Sequence, residues 1–156
     1  MAETYKYSDK VLAFATKAHE GQVRKYTGVP YITHPIAVAD RAVLFASEYR
    51  VWNVGNEEVI RSIAYLHDVL EDTLIQESEL RTFLLTVTSL EDVNRIMHSV
   101  KLLTKTGRPL LVYLEEIKRD LFAKIVKRAD VWHNSSDLKD QKKLDTYNLV
   151  DYFLTH

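Results

Sequence analysis

The chain of 156 residues contains no cysteine, only four glycines and only three prolines. Without thiols it forms neither a disulfide nor a thiolate metal site, so any metal it binds must be held by His, Asp or Glu. An excess of charge of one sign is also lacking. Its 21 Lys and Arg against 22 Asp and Glu leave a formal net charge of −1, with no general pull toward nucleic acid or anionic lipid. No apolar run is long enough to cross a bilayer, and the segment from Met1 to Ser8 has no signal-peptide core. These absences argue against a membrane protein and a nucleic-acid binder, and leave a soluble, cytoplasmic protein as the expectation. With 46% hydrophobic residues, the chain suits one domain over residues 1–156.

The few breakers (Gly21, Gly28, Gly55, Gly107, Pro30, Pro35 and Pro109) sit in a few connectors. Between them, apolar residues recur at helical rather than strand spacing. Val11, Leu12, Phe14, Ala15 and Ala18 form one stripe, with Ser8 as its expected N-cap. Ile36, Val38, Ala39, Ala42, Val43 and Phe45 form a second, and a third starts after Asn56 and runs from Val59 to Leu70. Thr73 with Gln76, and Ser89 with Asp92, resemble helix starts. Phe83 to Thr88 has strand propensity, but is read as a helix ending in a connector. Tyr113, Ile117 and Leu121 make a later face; Phe122 to about Asn134 and Leu144 to Phe153 complete the pattern. The prediction is an all-α, compact single-domain helical fold.

The longest irregular stretch, Gly21 to Pro35, carries Arg24, Lys25, Tyr26, Tyr31 and His34. Two cations and two tyrosines in a connector suit an anionic, aromatic ligand. A solvated loop with surface tyrosines is the other reading.

The best pointer to chemistry is Ile63 to Thr73, where His67, Asp68, Glu71 and Asp72 crowd the end of an apolar segment. Burying an imidazole with three carboxylates is costly unless a cation or hydrogen bonds compensate. On a regular helix His67 and Asp68 point about 100° apart, so both reach one ion only near the helix end, with further ligands arriving from elsewhere. His34, just before Pro35, and Asp130, between Ala129 and Val131, are the candidates. Two His and two Asp suit Mn²⁺, Fe²⁺ or Zn²⁺ better than Ca²⁺. Such an ion can polarise phosphorus and acidify water, while Glu71 and Asp72 orient that water, take its proton or assist the leaving group. Each residue also has a structural reading: His34 as a helix cap, Asp130 paired with Lys127 or Arg128, and Glu71 and Asp72 as exposed helix-end acids.

Four ordered blocks carry a resemblance from about Ala13 to Leu138. They are Ala18 to Lys25 with Pro30 to Ala39, then Leu66 to Thr73, Val100 to Lys105, and Val126 to Asn134. Together they resemble the HD phosphohydrolase superfamily, and within it the hydrolase domain of RelA/SpoT proteins and their small stand-alone homologues. The resemblance implies one Mn²⁺ held by His34, His67, Asp68 and Asp130, with Glu71 and Asp72 serving catalysis. It also implies removal of the 3′-pyrophosphate of (p)ppGpp to give GDP or GTP. Arg24 would lie against the purine, Lys25 near phosphate and Asn134 on the ribose, and Tyr31 belongs to the same expected substrate-binding set.

The chain departs from the family pattern at Val131 and Ser136, where cations are common, and at Tyr26 to Val29. Those departures keep two alternatives in view. One is an HD hydrolase of another nucleotide, such as a nucleoside monophosphate or the 2′-phosphate of NADPH. The other is a nucleotide-binding module without turnover, which the intact metal and acid positions argue against. Alarmone synthesis is not expected, because the chain ends before a synthetase domain. A small-molecule nucleotide is the expected partner; self-association is left open.

Overall fold

A computed structural model describes residues 6–156; the segment before Lys6 in the signal-peptide reading lies outside them. The helices are α1 (Tyr7–Ala18), α2 (Thr33–Glu48), α3 (Val54–Leu66), α4 (Val69–Asp72), α5 (Glu77–Val87), α6 (Leu90–Leu103), α7 (Leu110–Lys118), α8 (Leu121–Ser136) and α9 (Gln141–Thr155). Among the described residues β structure is limited to an isolated antiparallel bridge between Val23 and Pro30. The all-α expectation holds, and Phe83 to Val87 is helical as read.

α3 is the axis of the molecule. It packs against α1, α2, α6 and α8, and Val59, Ile60, Ile63, Ala64 and Leu66 are fully shielded from solvent. The second half of α3, where Ser62 to Leu66 are all buried, is enclosed on most of its circumference and is largely apolar there. Asn53, not a residue after Asn56, starts this helix, its side chain accepting from the Asn56 N–H at 2.8 Å. Glu58 is buried on α3 and accepts from the Ser8 backbone N–H at 3.1 Å and from its hydroxyl at 2.7 Å. Ser8 is therefore not the N-cap of α1, which is Lys6. Its hydroxyl satisfies a buried carboxylate on another helix.

Other expectations divide in the same physical way. Ser89 caps α6, accepting from the Asp92 N–H. Thr73 does not start α5: its hydroxyl donates to the Val69 carbonyl at 2.7 Å, and Gln76 precedes the helix. The stripe read as one helix from Val59 to Leu70 is broken at His67 and Asp68. In an unbroken helix the Ala64 carbonyl would accept from the Asp68 N–H. Here the His67 imidazole Nδ1 approaches that carbonyl to 2.6 Å, and the competing side-chain bond ends the ladder.

The Gly21–Pro35 connector is held by its own backbone. Arg24 N–H donates to Val29 at 2.8 Å, Tyr31 N–H to Gln22 at 2.8 Å, and Gly28 N–H to Arg24 at 2.9 Å. Gly28 turns the chain at φ 73°, a left-handed conformation that side chains with a Cβ disfavour. The pinned loop delivers Tyr31 and the start of α2 to the break after α3.

Candidate active site

Three segments meet at that break: the first turn of α2 brings His34, the α3–α4 junction brings His67 and Asp68, and α8 brings Asp130. His34 Nε2 lies 2.9 Å from Asp130 Oδ1 and 3.8 Å from Asp68 Oδ2. His67 Nε2 lies 3.0 Å from Asp68 Oδ2 and 3.3 Å from Asp130 Oδ1. His34, His67 and Asp130 are buried, and ligand atoms of these three lie within 4.8 Å of one another. A second set with the same spacing joins Asp68 to Glu71 and Asp72, so Asp68 touches both the buried cluster and the exposed acids.

The protonation pattern fits a cation. With Nδ1 committed to the Ala64 carbonyl, His67 presents Nε2 to two carboxylates, yet neither contact is aligned as a hydrogen bond. Burial disfavours charge on His67, but Asp68 and Asp130 outweigh it and lift its pKa well above the ordinary value. Burial would raise the Asp68 carboxyl; His67 and the Tyr31 hydroxyl hold it down to about 2 despite Asp130. Asp130 is likewise held well below the usual range against burial by Lys127, His34 and His67. Two anionic carboxylates thus face the buried Nε2 of His67, where a positive charge, a proton or a metal ion, offsets their repulsion. Two imidazoles and two carboxylates are a donor set suited to a divalent transition metal.

Supporting contacts surround the cluster. Tyr31, expected to touch substrate, donates its hydroxyl to Asp68 Oδ2; burial and the Asp68 charge raise its pKa, keeping the donor protonated. Lys127 donates to Asp130 Oδ2 at 3.0 Å, so the ion-pair reading of Asp130 and its place in the cluster are both realised. Arg128 instead pairs with Asp151. Asn134 donates to Asp130 Oδ1 at 3.0 Å and accepts from Arg24 Nη1 at 3.1 Å. Arg24 is buried and also pairs with Asp137 at 2.9 Å. Lys25 is exposed, its ammonium 5.5 Å from the Tyr26 ring centroid.

Glu71 and Asp72 are exposed on the short α4. Glu71 Oε1 accepts from the Lys105 backbone N–H at 2.7 Å, and the Asp72 carbonyl accepts from the Gln22 amide at 2.8 Å. Burial, then the charges of Asp68 and Glu71, push the Asp72 carboxyl up. A cavity of about 130 Å³ touches Tyr31, His67, Asp68, Glu71, Lys105 and Asp130. Glu71 and Asp72 also line a wider groove of about 760 Å³ with Phe14, Lys17, Gln22 and Leu74. The small cavity admits an ion and one reacting group; the remainder of any nucleotide must lie outside it.

Sequence reasoning passed over His133, whose Nδ1 lies 2.7 Å from His34 Nδ1. It also passed over the Lys105 amide on Glu71. Helical spacing from Asp130 places Lys127, His133 and Asn134 on the same face, a signal that would have found His133. No side-chain pattern announces a backbone amide.

The HD domain family matches residues 31–135. A guanosine-3′,5′-bis(diphosphate) 3′-pyrophosphohydrolase of Haemophilus influenzae is 34% identical over 128 residues, covering 80% of this chain and 17% of the relative. A protein of the same name from Borreliella burgdorferi is 28% identical over 137 residues, covering 83% and 18%. A GTP pyrophosphokinase of Myxococcus xanthus is 30% identical over 141 residues, covering 83% and 17%. The chain thus spans less than a fifth of these relatives' length. Among solved structures, a metazoan ortholog of SpoT, described as hydrolysing ppGpp, superposes with a TM-score of 0.71 at 22% identity. That match covers 99% of this chain and 86% of the other, and shows a shared fold.

Proposed function

The chain belongs to the HD domain family, and from that premise we propose that it is a metal-dependent hydrolase removing the 3′-pyrophosphate of (p)ppGpp. The observation that carries this reading is the convergence of His34, His67, Asp68 and Asp130 donor atoms beside a pair of acids. The names of the Haemophilus and Borreliella relatives support the substrate. Mn²⁺ is the proposed ion, and the four residues are its proposed ligands.

Held by His34, His67, Asp68 and Asp130, a divalent ion would supply Lewis-acid polarisation of a phosphoryl oxygen. Asp72, with its raised pKa, takes a proton from the attacking water. Glu71, steadied by the Lys105 amide, orients that water. Tyr31 fixes the Asp68 carboxylate. Arg24 offers a planar cation for the purine, and Asn134 stands beside it for the ribose. Lys25, on the same connector, is the proposed phosphate contact.

One observation favours a second reading. Arg24 is already paired with Asp137, and Lys127 with Asp130, so neither of these two cations meets a highly anionic ligand without exchanging its carboxylate partner. A nucleoside monophosphate or the 2′-phosphate of NADPH is the alternative substrate.

The test is a screen of purified protein with Mn²⁺ against ppGpp, NADPH and nucleoside monophosphates, measuring pyrophosphate and orthophosphate separately. Pyrophosphate from ppGpp is the expected product. Orthophosphate from another nucleotide, with ppGpp left intact, overturns the alarmone assignment.

A further inference from the structure

We propose that His133 is a positioning residue for the metal centre: it fixes the ring of His34 and the nitrogen that His34 presents to the ion. This inference rests on the metal reading above and is independent of which nucleotide is hydrolysed. The two Nδ1 atoms are 2.7 Å apart, a distance that requires one nitrogen to donate and the other to accept. His34 Nε2 faces Asp130 and Asp68. For Nε2 to offer a lone pair to a cation, the ring proton of neutral His34 must reside on Nδ1. His133 Nδ1 is then the acceptor of that proton.

Among the described residues His34 Nδ1 has no hydrogen-bond partner other than His133, whose ring is flanked on its other side. The two imidazoles meet edge to edge, with centroids 4.9 Å apart and 30° between planes, and the Trp132 ring lies 6.1 Å from that of His133. His34 is almost fully buried, whereas His133 is half-buried. The outer imidazole therefore connects a sealed ligand to solvent and can exchange its own ring proton there. The paired ligand is handled differently: His67 Nδ1 is fixed by the Ala64 carbonyl, an acceptor that cannot change its role. Metal-binding histidines are commonly held through the second ring nitrogen in this manner. This site uses a carbonyl for one ligand and a second histidine for the other.

The experiment compares His133→Phe and His133→Asn with the unaltered protein, titrating Mn²⁺ alone and reading free Mn²⁺ by electron paramagnetic resonance. Phenylalanine keeps a ring beside His34 but removes the acceptor; asparagine places an amide oxygen near the position of Nδ1. Thermal melts of the metal-free proteins report any folding defect. The expected result is a loss of about 10–100-fold in Mn²⁺ affinity for His133→Phe, recovered for the most part by His133→Asn, with metal-free melting temperatures little changed. Equal affinity in the Phe variant and the unaltered protein overturns the proposal. So does a loss in both variants that follows their melting temperatures. Failure of the unaltered protein to bind Mn²⁺ sinks the metal reading itself, whereas binding without alarmone hydrolysis sinks only the substrate.

Discussion

At the scale of single residues, the proposed roles separate groups that would hold an ion from groups that would handle water. His67 has one nitrogen on a backbone carbonyl and the other between two carboxylates. Replacing His67 or Asp68 by alanine should therefore abolish Mn²⁺ binding and hydrolysis together, a larger loss than the about 10–100-fold typical of supporting partners. Metal titration and turnover on the same preparations check this. Glu71 is exposed and held by the Lys105 amide, so Glu71→Gln should leave Mn²⁺ affinity nearly unchanged while lowering kcat about 10²–10⁴-fold. Undiminished turnover in a folded Glu71→Gln protein removes this acid from the mechanism. For Arg24→Ala, KM for a purine nucleotide should rise with a smaller change in kcat. Because Arg24 also ties the connector to Asn134 and Asp137, a modest drop in melting temperature should accompany it. An unchanged KM refutes contact with the base.

At the scale of elements, the sequence displays what depends on short-range spacing and hides what depends on distant partners. Ser89 and Asp92 announced a helix start because cap and amide are three residues apart. Ser8 has the same chemistry but serves Glu58, fifty residues away, which no local pattern reveals. The break at His67 was hidden for a related reason: Val69 and Leu70 continue the apolar pattern, while the Ala64 carbonyl is taken by the His67 ring and backbone N–H. The cluster members were readable through their block spacing. The Tyr31 bond to Asp68 and the histidine pair at 34 and 133 required the connector and α8 to be brought together. The buried Glu58 contact yields a prediction. Glu58→Ala leaves the Ser8 N–H and hydroxyl without their acceptor and should cost about 1–3 kcal/mol, measured by urea unfolding. A cost near zero refutes its role in joining α1 to α3.

At the scale of the whole molecule, several phenols lie in the interior. Burial raises the pKa of Tyr7, Tyr31, Tyr65 and Tyr113, with nearby carboxylates adding to the effect at Tyr7 and Tyr31. An unfolded tyrosine ionises at about pH 10, while the folded ones retain their protons to higher pH. Above that value the unfolded chain binds fewer protons than the folded one, so stability falls as pH rises. Their contribution is intact below about pH 10 and is lost progressively as pH climbs toward the raised folded values. The urea midpoint should therefore drop steeply above that pH, and Tyr65→Phe should make the drop shallower. A midpoint flat to pH 11 contradicts this account.

The interruption between α3 and α4 also limits how the chain can change in length. Each residue added to a helix turns everything beyond it by about 100° and advances it by about 1.5 Å. One amino acid inserted in α3 would swing His67 and Asp68 away from His34 and Asp130, which are anchored on other helices. The connector between α5 and α6 delivers none of these side chains. Variation in length is therefore tolerable there and intolerable in α3, so deletion and insertion scanning should show a rigid ruler upstream of the histidine–aspartate pair and slack well beyond it.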